Sequence, residues 1–291
     1  LSVFDEAKID SHCHVLDPAR FPYAPDVAYR PAGQEIGTPD QHHRVMDAYG
    51  IRHALLVGPN SGYSLDNRCL LDTIAQGGGR YKGIAVVRND ISHAELAQLR
   101  TAGVIGVAFN ATLLGVAHYA HTDPLLRHLT DLDMFVQVQV EFDQLVGLRA
   151  LLERNGTRVL IDHCGRPSPD AGLDQPGFQA LLALARTGRV AVKLSGFQKF
   201  SRQAAPYPDA QVFVRALIDA YTLDACLWAS DWPFLKAPER LDMGPLLRQV
   251  EVLLPDPADR KRLWWDTPRR WLGFDTLDGG RCRNDLRVVN G

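Results

Sequence analysis

Lys8-Ile9-Asp10-Ser11-His12-Cys13-His14 is a short strand-like run that closes on two histidines two positions apart. Alternate residues of a strand share a face, so the spacing predicts that His12 and His14 project together, with Asp10 one step below them. The run is the first of eight, the others spanning 53–58, 82–87, 104–110, 135–140, 158–163, 189–194 and 225–231. Several are apolar on both faces, as strands of a buried parallel sheet are. Helical patterns separate them at 40–49, 67–76, 92–101, 123–132, 142–154, 177–187 and 211–220, and 238–254 with 257–272 supply the last helices. Eight strand–helix alternations in one chain predict an α/β fold, a single-domain (β/α)8 TIM barrel over 1–274, rather than a doubly wound open sheet. The Gly-, Arg- and Asn-rich stretch 275–291 is read as a C-terminal extension.

Composition narrows the class. The 291 residues are 46% hydrophobic and 23% charged, ordinary globular values that argue against extended disorder or a fibrous repeat. Lys+Arg 32 against Asp+Glu 34 gives a net charge of −2, which offers no general attraction to nucleic acid or to an anionic membrane. No apolar run approaches the roughly 20 residues of a membrane span, and Leu1–Glu6 lacks the basic-then-apolar profile of a secretion signal. The expectation is a cytoplasmic protein acting on a small molecule, with no nucleic-acid or membrane partner and homo-oligomerisation left open. Five scattered cysteines without CxxC pairs read as reduced core thiols, Cys13, Cys164 and Cys226 lying in or beside strand runs.

In such a barrel the chemistry sits at the C-terminal ends of the strands. Two long connections, 16–39 after strand 1 and 198–209 after strand 7, would wall the pocket there. Asp231, closing Leu227-Trp228-Ala229-Ser230-Asp231-Trp232-Pro233, falls at the mouth, although an Asp in that position also caps turns. His163 follows strand 6, where alternation puts it on one face with Val159 and Ile161; alone it would read as a core histidine. Three histidines and an aspartate converging on strand ends are hard to attribute to packing. His42-His43, His118 and His121 fall away from strand ends and read as solvated histidines.

From about Ile9 to Phe274 the chain resembles the amidohydrolase superfamily, in its branch of 2-pyrone-4,6-dicarboxylate lactonase-like hydrolases. The resemblance rests on Asp10-Ser11-His12-Cys13-His14, Asp66-Asn67-Arg68, Gly106-Val107-Ala108-Phe109-Asn110, Asp162-His163-Cys164-Gly165-Arg166-Pro167, Ser230-Asp231-Trp232-Pro233 and the closing Asp266–Phe274. It implies a carboxylic-ester hydrolase that opens a lactone, with Asp231 as general base on water and His12, His14 and His163 orienting that water and polarising the carbonyl. It also implies Tyr29 and Arg166 as substrate contacts, to which the sequence adds Ser61, Tyr63, Asn110, Gln139 and Lys199. Loop packing for the tyrosines and a surface ion pair for Arg166 are the plainer alternatives.

Many members of the superfamily bind one or two divalent ions through the strand-1 histidine pair, a strand-5 group, a strand-6 histidine and the strand-8 aspartate. Strand 5 here carries Gln139 where that ligand is expected, and a neutral amide suits Zn poorly, so a two-metal centre is not expected. The reading is that no cofactor is required. A single ion such as Zn on His12, His14 and Asp231 is the alternative, in a mononuclear metal-dependent amidohydrolase or decarboxylase. Where dicarboxylate lactonases of the branch present arginines, this chain has Ala108, no cation over 111–115, and Lys199. The expected substrate is therefore less charged, with one carboxylate. A barrel that merely binds a small carboxylate is the non-enzymatic alternative.

Overall fold

The computed structural model describes residues 2–274, so the extension proposed for 275–291 lies outside the described residues. All eight strand runs form: β1 (Lys8–Cys13), β2 (Ile51–Val57), β3 (Tyr81–Ala85), β4 (Val104–Asn110), β5 (Phe135–Gln139), β6 (Arg158–Ile161), β7 (Val190–Leu194) and β8 (Cys226–Trp228). They pair in parallel, each with the next, in the order β1 to β8. This is the expected (β/α)8 barrel, with helices between the strands. No helix among the described residues is long and apolar enough to cross a membrane.

The alternation of each strand builds two layers. Ile9, Leu55, Val57, Ile84, Phe135, Leu160, Ala191 and Leu227 fill the barrel interior with Leu272 and Phe274. The intervening residues, including Cys13, Ala54, Leu56, Val159, Ile161 and Val192, belong to the larger layer under the helices. The closing segment joins the inner core: Phe274 stacks on His53 at 4.5 Å, and Lys82 Nζ donates to the carbonyls of Leu272 at 2.9 Å and Gly273 at 2.6 Å. Cys13, Cys69, Cys164 and Cys226 are buried free thiols.

The barrel closes between β1 and β8 by an irregular seam. Asp231 N donates to His12 O and His14 N to Trp232 O, each at 2.8 Å. A step lower, the Asp10 carboxylate takes the place of a strand partner: it accepts from Ser230 N at 2.9 Å, from the Ser230 hydroxyl and from His12 N at 3.2 Å. Asp10 therefore works as a fastener in the seam, where alternation had placed it beneath the histidines in the mouth. The cause is a register irregularity between Asp10 and Cys13 that breaks the strict period of two.

Replacing Asp10 by Ala strands these buried donors, each at about 1–3 kcal/mol. Urea unfolding of Asp10→Ala is expected to show a loss of roughly 3 kcal/mol or more; a loss below about 1 kcal/mol would remove the carboxylate from the seam's closure.

Candidate active site

The catalytic candidates meet at the C-terminal mouth, but two arrive two or more residues past the ends of their strands. β6 ends at Ile161 and β8 at Trp228, short of the expected 163 and 231. His163 and Asp231 lie beyond, on left-handed backbone with φ of 50° and 62°. Such a conformation costs a non-glycine residue of order 1 kcal/mol and is held by its surroundings. The face of β6 carrying Val159 and Ile161 packs under the helices, so simple alternation would have sent His163 outward. The turn sends it inward instead. Room for its ring comes from Gly196, itself left-handed at φ +66°, where a Cβ would stand 2.6 Å from His163 Nδ1.

The four groups form a compact cluster. Asp231 Oδ1 lies 3.6 Å from Nε2 of each of His12, His14 and His163, and His12 Nε2 lies 3.3 Å from His14 Nε2. Each far ring nitrogen is held: His14 Nδ1 donates to Val57 O at 2.8 Å, His163 Nδ1 meets Ser195 Oγ at 3.0 Å, and His12 Nδ1 lies 3.2 Å from Asp162 Oδ1. Lys199 Nζ is 2.9 Å from Asp231 Oδ2.

Burial lowers the imidazoles, His12 to about 4 despite the Asp162 charge, and His163 well below its ordinary value. Burial alone would raise the Asp231 carboxyl; the Lys199 ammonium, then the histidines, hold it well below the usual range. At neutral pH His12 and His163 are thus neutral and Asp231 is a carboxylate, with the Lys199 side chain against it.

Sequence reasoning missed the layer beneath. Lys193 on β7, 0% exposed, contacts Asp162 Oδ1 at 3.0 Å and Gln137 Oε1 at 2.5 Å, while Gln137 Nε2 donates to Asp162 Oδ2 at 3.0 Å. The signal was present in the alternation: Asp162, Lys193 and Gln137 follow the inward-facing Leu160, Ala191 and Phe135 by two.

A cavity of about 450 Å³ opens above the histidines. Of the expected substrate contacts, Tyr29, Ser61, Asn110, Gln139, Arg166 and Lys199 line it. Tyr63 does not: it is 2% exposed, packs against Tyr23 and accepts from Asp17 N at 3.0 Å, holding the long first loop down. Arg166 is paired with Glu141 at 2.9 Å. Lys236, unforeseen, joins the lining and lies 4.5 Å over the Tyr29 ring, whose hydroxyl is bound by Glu35. His42 also departs from expectation. It is fully buried one helical turn from Met46 and packs, tilted, against the Trp232 ring at 4.9 Å, because helix Pro39–Ala48 turns that face to the barrel. His43, His118 and His121 are exposed as expected.

Comparison with known proteins places this geometry. The Amidohydrolase family profile matches residues 9–274. The chain belongs to the amidohydrolase family. It is 32% identical to a 4-sulfomuconolactone hydrolase of Rhizobium radiobacter over 91% of this chain and 89% of that one. It is 28% identical to a 2-pyrone-4,6-dicarboxylate hydrolase of Comamonas testosteroni over 90% and 88%. A solved probable 2-pyrone-4,6-dicarboxylic acid hydrolase of Acinetobacter baumannii, with citric acid bound, superposes with a TM-score of 0.84 at 26% identity, over 92% of this chain and 99% of that one.

Amidohydrolases often use a divalent metal, and this chain's donors can be tested for one. His12, His14 and Asp231 bring three ligand atoms together, separated by 3.3 to 3.6 Å. Ligands of a tetrahedral Zn at its usual bond lengths stand roughly 3.3 Å apart, so the set fits a single ion. Gln139, on β5, adds no charged ligand to it.

The buried imidazoles also set an acid limit. Unfolded, His12 and His42 bind protons near pH 6.5; folded, they bind them only at about 4 and about 3, burial being the main cause. Between these values the unfolded state holds more protons, so stability is full above pH 6.5 and drains as pH falls. Asp10, raised by burial from 3.8 to about 6, works in the opposite sense over part of that window but supplies one proton against two. The melting temperature should fall between pH 7 and 4.5; a flat or rising profile would contradict neutral burial of these rings.

Proposed function

We propose that the protein hydrolyses a lactone or similar cyclic ester bearing one anionic group, with Asp231 as general base and His12, His14 and His163 orienting the water and polarising the acyl carbonyl. The observation that carries this reading is Asp231 Oδ1 lying 3.6 Å from three imidazole Nε2 atoms, two of them on residues, His12 and His14, that line the cavity. Its relatives' names, lactone hydrolases both, support it.

The groups divide the work. A water bound against Asp231 loses a proton to the carboxylate as its oxygen adds to the acyl carbon. The carbonyl oxygen, gaining charge, is met by an imidazole N–H already fixed in place, while the bare His14 Nε2 helps to orient the water. Collapse breaks the bond to the ring oxygen, which takes the proton back from Asp231, leaving a carboxylic acid and a hydroxyl. A carboxylate held well below its ordinary range is a weak base, so most of the acceleration comes from orientation, for which effective molarity can supply several kcal/mol, up to about 10.

Lys199 couples recognition to this step. In the free protein its ammonium lies on Asp231 and also lines the cavity. A substrate anion drawn to Lys199, with Arg166 and Lys236 nearby on the lining, removes that cation from the base. Along the β4 side the lining is Ala108, Phe109, Asn110, Thr112 and Leu113, with no cation to meet a second acidic group. A substrate with a single anionic group fits this cavity better than a dicarboxylate.

The fitting donor set favours one second reading, a mononuclear metal hydrolase with His12, His14 and Asp231 as ligands. Such an ion, when bound, supplies Lewis-acid polarisation of water or carbonyl.

The test is a panel of lactones, singly and doubly acidic, followed by proton release with and without a chelator. Singly acidic lactones should turn over and survive chelation. Asp231→Asn should keep its circular dichroism spectrum and lose about 10²–10⁴-fold in rate. Wild-type turnover by that variant would overturn the reading, and activity abolished by chelation would select the metal-dependent one.

A further inference from the structure

Hydrolysis as described leaves Lys193 without a part. The residue is 0% exposed, and its ammonium meets three acceptors: Gln137 Oε1 at 2.5 Å, Asp162 Oδ1 at 3.0 Å and His12 Nδ1 at 3.2 Å. An ammonium has three hydrogens and no lone pair, so all three hydrogens are used only if His12 Nδ1 is bare. Asp162 Oδ1 stands at the same 3.2 Å from that nitrogen and would use it only as an N–H donor. The two neighbours therefore demand opposite tautomers of His12.

The surroundings decide between them. Asp162 already accepts from Lys193 on Oδ1 and from Gln137 on Oδ2, so losing the His12 proton leaves neither oxygen empty. Denying Lys193 its third acceptor would orphan a hydrogen of a buried cation, and unpaired buried donors are the rarer and costlier fault. The far side of the ring agrees. Val57 O can only accept, so His14 Nδ1 carries a proton and His14 Nε2 is bare. His12 Nε2, 3.3 Å away, makes a hydrogen bond there only if it carries a hydrogen. One polarity then runs unbroken from Lys193 through His12 and His14 to Val57 O.

We propose that Lys193 is a positioning residue that holds His12 in its Nε2–H form and so disfavours capture of a divalent ion by His12, His14 and Asp231. A metal at that set needs the His12 Nε2 lone pair. Exposing it moves the proton to Nδ1 and takes away the third acceptor of Lys193. Removing Lys193 removes that opposition.

Two readouts test this, and neither depends on turnover, so failure of the lactone reading leaves it standing. Long-range ¹H–¹⁵N NMR of the chelator-treated full chain, with His12 assigned by its loss in His12→Gln, should show Nε2 protonated and Nδ1 bare in His12, and the reverse in His14. A proton on His12 Nδ1 would overturn the proposal. In competition with a chromophoric chelator, Lys193→Met should bind zinc at least about tenfold more tightly than the wild type, within the usual span of such supporting contacts. Equal or weaker binding would also overturn it. The NMR result stands on the wild type even if the variant fails to fold.

Discussion

A carboxylate that is 1% exposed stays ionised only if the protein replaces the water it has lost, and the mouth of this barrel is organised around that requirement at Asp231. Lys199 supplies the opposite charge to one oxygen, and three imidazoles surround the other. Burial keeps two of those rings, His12 and His163, neutral, so neither competes with Lys199 as the counter-charge. A carboxylate whose counter-charge comes from a cavity-lining side chain has a proton affinity that an arriving anion can change.

The same arrangement governs the fold around it. Asp231 N and His14 N take part in closing β1 against β8, so the seam that completes the barrel also fixes Asp231 beside His12 and His14. Asp10 reinforces that closure from one step below. Beneath the histidines, Lys193 and Asp162 form a second buried ion pair bridged by Gln137, which leaves His12 oriented from both sides. Stability and site geometry thus draw on the same contacts, and acid that protonates the rings weakens both.

The strands, their order and the mouth location were legible because a parallel barrel imposes short apolar runs at regular intervals, and these survive in the sequence as they stand. His12 and His14 were legible too, Cys13 packing outward between them. Period-two reasoning failed where the backbone leaves the strand. Asp10 sits in an irregular register, and His163 and Asp231 ride on left-handed turns that no alternation predicts. Lys193 was readable and overlooked, since a lysine inside Val190-Ala191-Val192-Lys193-Leu194 on the inward face has to be paired. Tyr63 takes the loop-packing alternative that the sequence offered, whereas Lys236 was not readable, because its place depends on how long loops fold back over the mouth.

The central claim is that Asp231 is an anion in the free protein and that Lys199 keeps it so. ¹³C-carboxyl NMR of Asp231, assigned by its loss in Asp231→Asn, measures this directly across pH 3.5 to 8. The wild type should show Asp231 ionised throughout, and Lys199→Met should move its titration upward into that range. An Asp231 that is protonated at neutral pH in the wild type, or that titrates identically in both proteins, would contradict the account.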